Sequence, residues 1–407
     1  MQRIERIQQQ LHAATTGMPT EIVIVAATRT PIAKGKRGSF KDTTPDVLLR
    51  HVFEGLLAQT KIDPTMIGDV VVGNVLQQGS AAGGARMGQL CAGIPFSVPL
   101  STVNRQCSSG LQAFANVASA IQAGFYDVGI AAGVECMSLT DMGASAPDVC
   151  WEQVHANEAA RNCTVPMGIT SENVAEKYGI TRSQQDAFAA ESHAKAHAAQ
   201  QHGWFDREIT PVTTTCSTAD GRDEQVTVTK DEGVRAGTTV EGLAKLKPSF
   251  KPNGTTTAGN SSQVSDGAAA CLVTTRRVAE QLKLPILGSF VSYAVVGVPP
   301  EIMGIGPAVA IPAALKKAGL TIDQIDVFEL NEAFASQALY CQTTLKIPSH
   351  KVNPTGGAIA LGHPLGCTGA RQIATLLHGL HRTNQTYGVV SMCIGTGMGA
   401  AAVFKRE

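Results

Sequence analysis

Aromatic residues are scarce in this 407-residue chain, where Phe, Trp and Tyr together make up 5%. A surface that stacks nucleic-acid bases is built from such rings, so their scarcity argues against a nucleic-acid partner. Net charge is missing too, because Lys+Arg and Asp+Glu each count 33. No overall field draws the chain to DNA, RNA or an anionic membrane. The ten cysteines include no C-x-x-C pair, and no His cluster stands at zinc spacing. In a chain this long they read as reduced thiols, and no metal site is expected. No apolar run reaches the roughly 18 residues that a transmembrane helix needs.

What the chain has is glycine (41 residues) and a hydrophobic share of 43% against 16% charged. That composition buries a large core and excludes disorder, and the length allows two or three domains. Gly/Pro punctuation between alternating strand-like and helix-like stretches indicates an α/β architecture.

Residues 1–18 precede the first strand-like run, Glu21 to Val25, and carry no core pattern beyond Ile4, Ile7 and Leu11 at helical spacing. Without an apolar h-region they are not a secretory signal. Glu5 and the scarcity of Arg make a poor mitochondrial presequence. Arg3-Ile4 and Gln10-Leu11, five residues apart, resemble an N-terminal peroxisomal targeting signal, with Gln10 where His is commoner. A frayed terminus is the alternative.

The chain also repeats itself. Asp69 to Asn74 parallels Asp326 to Asn331, and Cys107-Ser108-Ser109-Gly110 parallels Gly366-Cys367-Thr368-Gly369. Tyr126 to Ile130 parallels Tyr387 to Ser391, and Gly267 to Val273 parallels Gly399 to Phe404. The first three lie at an offset of about 260 residues. In the last, the first half has gained a long insertion that the second lacks. The expected organisation is a first half at 19–137 and 261–284, an inserted domain at 138–260, and a second half at 285–407. The insertion holds a helical stretch from Ser183 to Gln201 and a β-like run from Thr213 to Thr229.

Four motifs at strand-to-helix junctions carry chemistry. In Asn104-Arg105-Gln106-Cys107-Ser108-Ser109-Gly110 a cysteine opens a helix, where the dipole favours the nucleophilic thiolate. A single cysteine is otherwise a buried small apolar residue. His363, in the turn Gly362-His363-Pro364, is suited to proton exchange near neutrality, and a packed or capping histidine is the plain alternative. Cys393 stands in Cys393-Ile394-Gly395-Thr396-Gly397, a second cysteine in a glycine-rich turn. Asn331, in Asn331-Glu332-Ala333-Phe334, is either an oxyanion or water ligand or a helix N-cap. Gathered at equivalent edges of a duplicated unit, these residues fall where open α/β sheets bind ligands.

The four motifs together, in this order, resemble the thiolase family, and the likeness runs from Glu21 to Phe404. The resemblance implies two similar halves layered α-β-α-β-α, with an inserted loop domain that binds coenzyme A. It implies CoA-dependent cleavage of 3-ketoacyl-CoA to acetyl-CoA and a shortened acyl-CoA in fatty-acid β-oxidation. Cys107 would carry the acyl thioester, with His363 as its base and Cys393 as the acid–base at carbon. Asn331, through a water, and the backbone of Cys107 and Gly395 would hold developing oxyanions, with Gly395 avoiding a clash with the thioester. For CoA the match gives Arg235 near the nucleotide, in Asp231-Glu232-Gly233-Val234-Arg235. Phe250, Ala258, Ser262, Ala333 and Phe334 would line the pantetheine tunnel, with Lys245 and Lys247 lending charge. CoA would be a co-substrate, with no tightly bound cofactor and no metal. A homodimer, a peroxisomal import receptor and the peroxisomal matrix complete the expectation, mitochondria being the alternative compartment.

One departure is that Pro166, not His, precedes Met167-Gly168, which favours the degradative branch over acetoacetyl-CoA specialisation. The alternatives are a biosynthetic acetoacetyl-CoA thiolase, a condensing synthase, against which Cys393 speaks, and a non-catalytic acyl-CoA- or lipid-binding relative.

Overall fold

The computed structural model describes residues 21–142, 148–218 and 220–407. The expected targeting segment, residues 1–18, lies outside them.

Strand β1 (Ile22–Arg29) is buried along its whole length, as its unbroken apolar run from Ile22 to Ala27 requires. The short β2 (Ala33–Lys34) follows. Next come helix α1 (Pro45–Thr60), β3 (Asp69–Gly73) and β4 (Leu100–Val103). Helix α2 (Ser109–Gln122) leads into β5 (Val128–Cys136). The chain then leaves the sheet and forms α3 (Met167–Tyr178), α4 (Arg182–Gln201) and the hairpin β6 (Val212–Ser217)/β7 (Asp223–Val228). A capping box between Thr181 and Gln184 starts α4, the helical stretch that the sequence shows. Strand β8 (Ser265–Thr275) returns to the sheet.

The second half runs through β9 (Gly288–Gly297), α5 (Gly306–Ala318), β10 (Val327–Leu330) and α6 (Ala335–Thr344). It closes with α7 (Leu365–Thr383), β11 (Tyr387–Ile394) and β12 (Met398–Arg406).

Pairing exposes the duplication. The first half has strand order β4-β3-β5-β8-β1, and the second β10-β11-β12-β9. In both, a parallel pair (β3/β5, β10/β11) is followed by two antiparallel ones. The counterpart of β4 is a single parallel bridge between Phe328 and Val352. The halves join edge to edge only where β1 meets β9, at Val23↔Ser289 and Ile24↔Gly288.

Helices α2 and α7 form the central layer between the two sheets. From Gly366 to Leu377 every residue of α7 is buried, as a helix enclosed on all sides demands. The two backbones touch: a Cβ on Gly110 would lie 2.7 Å from the Gly366 carbonyl oxygen, and one on Gly369 2.3 Å from the Leu111 nitrogen. Alanine at either position would push the halves apart. Outside, α1 covers the first sheet with Leu48, Leu49, Val52, Phe53 and Leu56, and α5 covers the second with Ile311 and Leu315. Each such side chain contributes about 1.5–3 kcal/mol by leaving water. The result is five layers, helix–sheet–helix–sheet–helix, with the N-termini of α2 and α7 back to back beside the carboxyl ends of β5 and β10.

Among the described residues no helix is long and apolar enough to cross a membrane. No group of three or more His, Cys, Asp or Glu there is placed to hold a metal ion.

Candidate active site

Cys107 sits on a tight turn just ahead of α2. Gln106 before it adopts φ 47°, left-handed backbone in a residue other than glycine. Side-chain bonds hold this strained turn. The Ser109 hydroxyl donates to the Gln106 carbonyl (2.6 Å) and accepts from the Arg105 N–H (2.9 Å), while Asn104 Oδ1 accepts from the Gln106 N–H (2.9 Å). The backbone N–H groups of Gly395 and of Cys107 itself favour the thiolate form of the sulfur.

The helix terminus does not by itself ionise the thiol. Burial pushes the Cys107 thiol up to about 11, against the pull of those two N–H groups, and the negative charge of Glu135 adds to the rise. The helix terminus does not outweigh desolvation, so the resting nucleophile is a thiol that needs a base.

His363 is buried and follows Gly362, whose φ of 112° turns the chain sharply. Its Nδ1 lies 2.6 Å from Thr368 Oγ1, and that hydroxyl donates to the Pro364 carbonyl at 3.0 Å. With its only proton so committed, Thr368 accepts from Nδ1–H, which makes Nε2 the acceptor nitrogen of the ring. Asn331 Nδ2 donates to this Nε2 at 3.2 Å. Burial, and secondarily the charge of Arg371, lower the imidazole to about 3. It is therefore neutral at pH 7 and able to accept a proton.

Two neutral partners, one titrating far below neutrality and the other far above, leave a wide window between them. For acyl-CoA/CoA exchange, kcat/KM is expected to stay flat from about pH 5 to about 9. A limb near pH 6.5 in that profile would mean a histidine of ordinary basicity.

Asn331 ends β10, its backbone N–H on the Ser391 carbonyl (2.9 Å). The N-cap alternative fails, because α6 starts at Ala335 with Phe334 in the cap position. Asn331 Oδ1 is buried without a protein partner and is open to accept from a water. Cys393, fully buried on β11, packs with Met303 and Ala333, next to Met167 and Phe334. Burial raises its thiol well above the ordinary value, with Cys107 and Cys341 adding to the rise. Gly395 is less constrained by the protein than expected, since a Cβ there would meet only Met167 Sδ at 3.6 Å and Gln106 Cγ at 3.9 Å. Those are ordinary contacts, so any demand for glycine comes from what enters the site.

The expected CoA residues fall into two places. Ser262, Ala333 and Phe334 are joined through backbone, with the Ser262 N–H on the Ala333 carbonyl (3.0 Å) and Ser261 bridged to Phe334. Phe250 stands edge-on to Phe334, ring centroids 6.3 Å apart. Ala258 is exposed on the neighbouring loop. Arg235 stands elsewhere, exposed, its backbone N–H on His193 Nδ1 (3.2 Å). The acidic residues of its segment turn inward: Asp231 pairs with Arg29, and Glu232 accepts from the Lys34 and Ser39 N–H groups. Two side chains at the site were missed in the sequence, Thr368 and Gln337. A hydroxyl five residues after His363, at the start of a helix, was a signal for the first; nothing pointed to the second.

A paired-thiol site with a neutral histidine, set where two duplicated α/β halves meet, defines an acyl-transferring class of enzyme. Family models place the chain: the thiolase N-terminal domain matches residues 22–277, and the thiolase C-terminal domain residues 284–406. The chain belongs to the thiolase family of acyltransferases. It is 62% identical to the peroxisomal 3-ketoacyl-CoA thiolase B of Rattus norvegicus over 387 residues, 95% of this chain and 91% of that protein. The dimeric peroxisomal thiolase of Saccharomyces cerevisiae superposes with a TM-score of 0.88 at 47% identity, covering 97% of this chain and all (100%) of that one. Human mitochondrial 3-ketoacyl-CoA thiolase in complex with CoA gives a TM-score of 0.85 at 36% identity, covering 95% and 98%.

Proposed function

We infer that this chain is a 3-ketoacyl-CoA thiolase of peroxisomal fatty-acid β-oxidation, working through a thioester on Cys107. What supports the residue roles is that the Gly395 N–H and Cys393 lie close enough to Cys107 to act on its ionisation and it on theirs, with Cys393 buried against Met303 and Ala333. The likeness to peroxisomal thiolases over nearly the full chain supports the reaction and the compartment.

The likeness to thiolases and the neutral imidazole of His363 support the following steps. His363 Nε2 takes the Cys107 proton as the sulfur attacks the 3-keto carbon. Because the thiol titrates far above the imidazole, attack and proton transfer run together. The backbone N–H groups of Cys107 and Gly395 receive the tetrahedral oxyanion. The C2–C3 bond breaks, leaving an acyl thioester on Cys107 and the enolate of acetyl-CoA. The Nε2–H of the imidazolium, with a water on Asn331, stabilises the enolate oxygen, and Cys393 gives its proton to the carbon. The imidazolium then returns its proton to the Cys393 thiolate, and the neutral His363 takes the proton of a second CoA thiol, which attacks the thioester. The shortened acyl-CoA is released as the Cys107 thiolate leaves and regains that proton from His363. One free CoA is consumed per turnover as co-substrate, and the CoA moieties are held by the insertion at residues 138–260 through Arg235, Phe250, Ala258 and Ser262, with Ala333 and Phe334 beside it.

The working form is a homodimer. Strand β4 pairs with β3 alone and so offers an open edge. Exposed Phe96, Met87 and Leu90 flank it, with Phe96 85% accessible. These features support a second copy adding there.

Cys107 is expected to be the cysteine that becomes acylated, although Cys91 and Cys150 are more exposed. Incubation with labelled acyl-CoA and peptide mapping should place the label on the Cys107 peptide. Label on Cys91 with Cys107 unmodified overturns the assignment. A thiolysis series from acetoacetyl-CoA to a long-chain 3-ketoacyl-CoA should favour the longer substrates, whereas acetoacetyl-CoA alone would mark a biosynthetic enzyme.

The N-terminal segment is read by a peroxisomal import receptor through Arg3-Ile4 and Gln10-Leu11. A fluorescent protein fused behind residues 1–18 should become punctate, and Arg3→Glu should disperse it. A mitochondrial or diffuse pattern from the intact fusion rules this out.

A further inference from the structure

Cys393 has to hold a proton until an enolate forms, then carry the charge left when the proton goes. Its surroundings give little help: Met303 and Ala333 pack on it, with Met167 and Phe334 close by. The titratable groups near it, Cys107 and Cys341, oppose its ionisation. Against these stands its own backbone N–H, and one polar side chain reaches the sulfur. Gln337, on α6, brings its carboxamide Oε1 to 3.5 Å from Cys393 Sγ. The side chain is fully buried. Gly304 makes that approach possible, because a Cβ there would come within 2.6 Å of Gln337 Cβ.

The other end of the carboxamide is unsatisfied. Gln337 Nε2 is buried with no hydrogen-bond partner. A buried donor left unmade is costly, and apolar side chains of similar size fill such a position without that penalty. The two ends suit the two states of the sulfur. Oxygen accepts from the S–H and keeps the proton on it, whereas N–H donates to a thiolate and stabilises it. The terminal torsion of glutamine is broad and roughly two-fold, so a half-turn exchanges the ends without moving the backbone.

We propose that Gln337 is the positioning residue for Cys393, presenting its oxygen to the thiol before enolate protonation and its amide N–H to the thiolate afterwards. This rests on the reading of Cys393 as the acid–base at carbon. Gln337 touches no reacting carbon and acts through the sulfur alone.

Gln337→Leu and Gln337→Met keep the bulk and remove both polar ends, and either folded variant suffices. Thiolysis should fall about tenfold or more, part of the 10²–10⁴ that a positioned acid–base supplies, while acyl-CoA/CoA exchange stays within about threefold. In a Cys107→Ala background, the pH at which iodoacetamide alkylates Cys393, read by peptide mass, should move up by about one unit or more, as loss of a thiolate donor requires. Gln337→Glu should move it further. Equal losses in thiolysis and exchange, or an unchanged alkylation profile, overturn the proposal. Cys393→Ala run in parallel separates the two ideas. If it retains thiolysis, the acid–base reading itself has failed; if it loses thiolysis while both Gln337 variants keep it, only the role of Gln337 has.

Discussion

Cys393→Ala should lower thiolysis and condensation by about 10²–10⁴ while leaving acyl-CoA/CoA exchange within about tenfold of the parent. Exchange needs a nucleophile, a base and an oxyanion donor, the roles proposed for Cys107, His363 and the Gly395 N–H. No proton moves at carbon in that half-reaction. Making or breaking the C2–C3 bond does require one, and Cys393, on β11 just ahead of the glycine-rich turn, is the titratable group set beside Cys107. Its thiol, held well above its ordinary range by burial, is protonated at neutral pH and so begins the cycle as an acid. The substitution removes one buried sulfur among Met303 and Ala333, a small volume change that neighbouring methionines absorb. Cys107→Ala is the contrasting control, since without a thioester both activities vanish. Near-parental thiolysis by Cys393→Ala would make this residue a packed thiol and pass the proton to His363 or a water.

Much of this arrangement was legible because duplication leaves the same signature twice. The parallels drawn from the sequence become paired elements: Asp69 to Gly73 is β3 and its partner in the second half is β10, while Gly267 to Val273 and Gly399 to Phe404 lie in β8 and β12. Cys107 and Cys367 mark the N-terminal ends of α2 and α7. Glycine told the same story, since Gly110 and Gly369 are positions where backbone meets backbone. Burial was not legible. A cysteine ahead of a helix suggests an activated thiolate, but here desolvation wins, because the half-buried Cys107 is crowded by residues of both halves. Gln337 and Thr368 are helical polar residues that look solvent-facing in one dimension and become buried partners when the sheets close over them. Asp231 and Glu232 read as part of a CoA segment, yet their carboxylates meet β1 and the turn after it, about 200 residues away.

That last contact carries the largest expected effect on stability. Arg29, at the end of β1, is fully buried and binds two carboxylates of the insertion. Its Nε meets Glu208 at 2.5 Å, and its fork grips Asp231 at 2.7 and 2.9 Å. Both acids are buried; Thr375 of α7 donates to Glu208 (3.0 Å) and the Ile32 N–H to Asp231 (2.8 Å). The Phe205 ring, 5.0 Å from the guanidinium, closes the remaining side. Coulomb attraction to the two carboxylates holds Arg29 charged against its burial. Arg29→Met keeps most of the volume but strands two negative charges in the interior. Breaking a buried pair from one side costs about 3–5 kcal/mol, far more than the pair contributes over an apolar replacement. Denaturant melts of the full-length protein should show that loss. Adding Glu208→Gln and Asp231→Asn to Arg29→Met should recover a large part of it, because the penalty belongs to the unpaired charges and not to the missing contacts. If the triple variant is no more stable than Arg29→Met alone, packing of the guanidinium on Phe205 is what joins the insertion to the core, and the ion cluster is secondary.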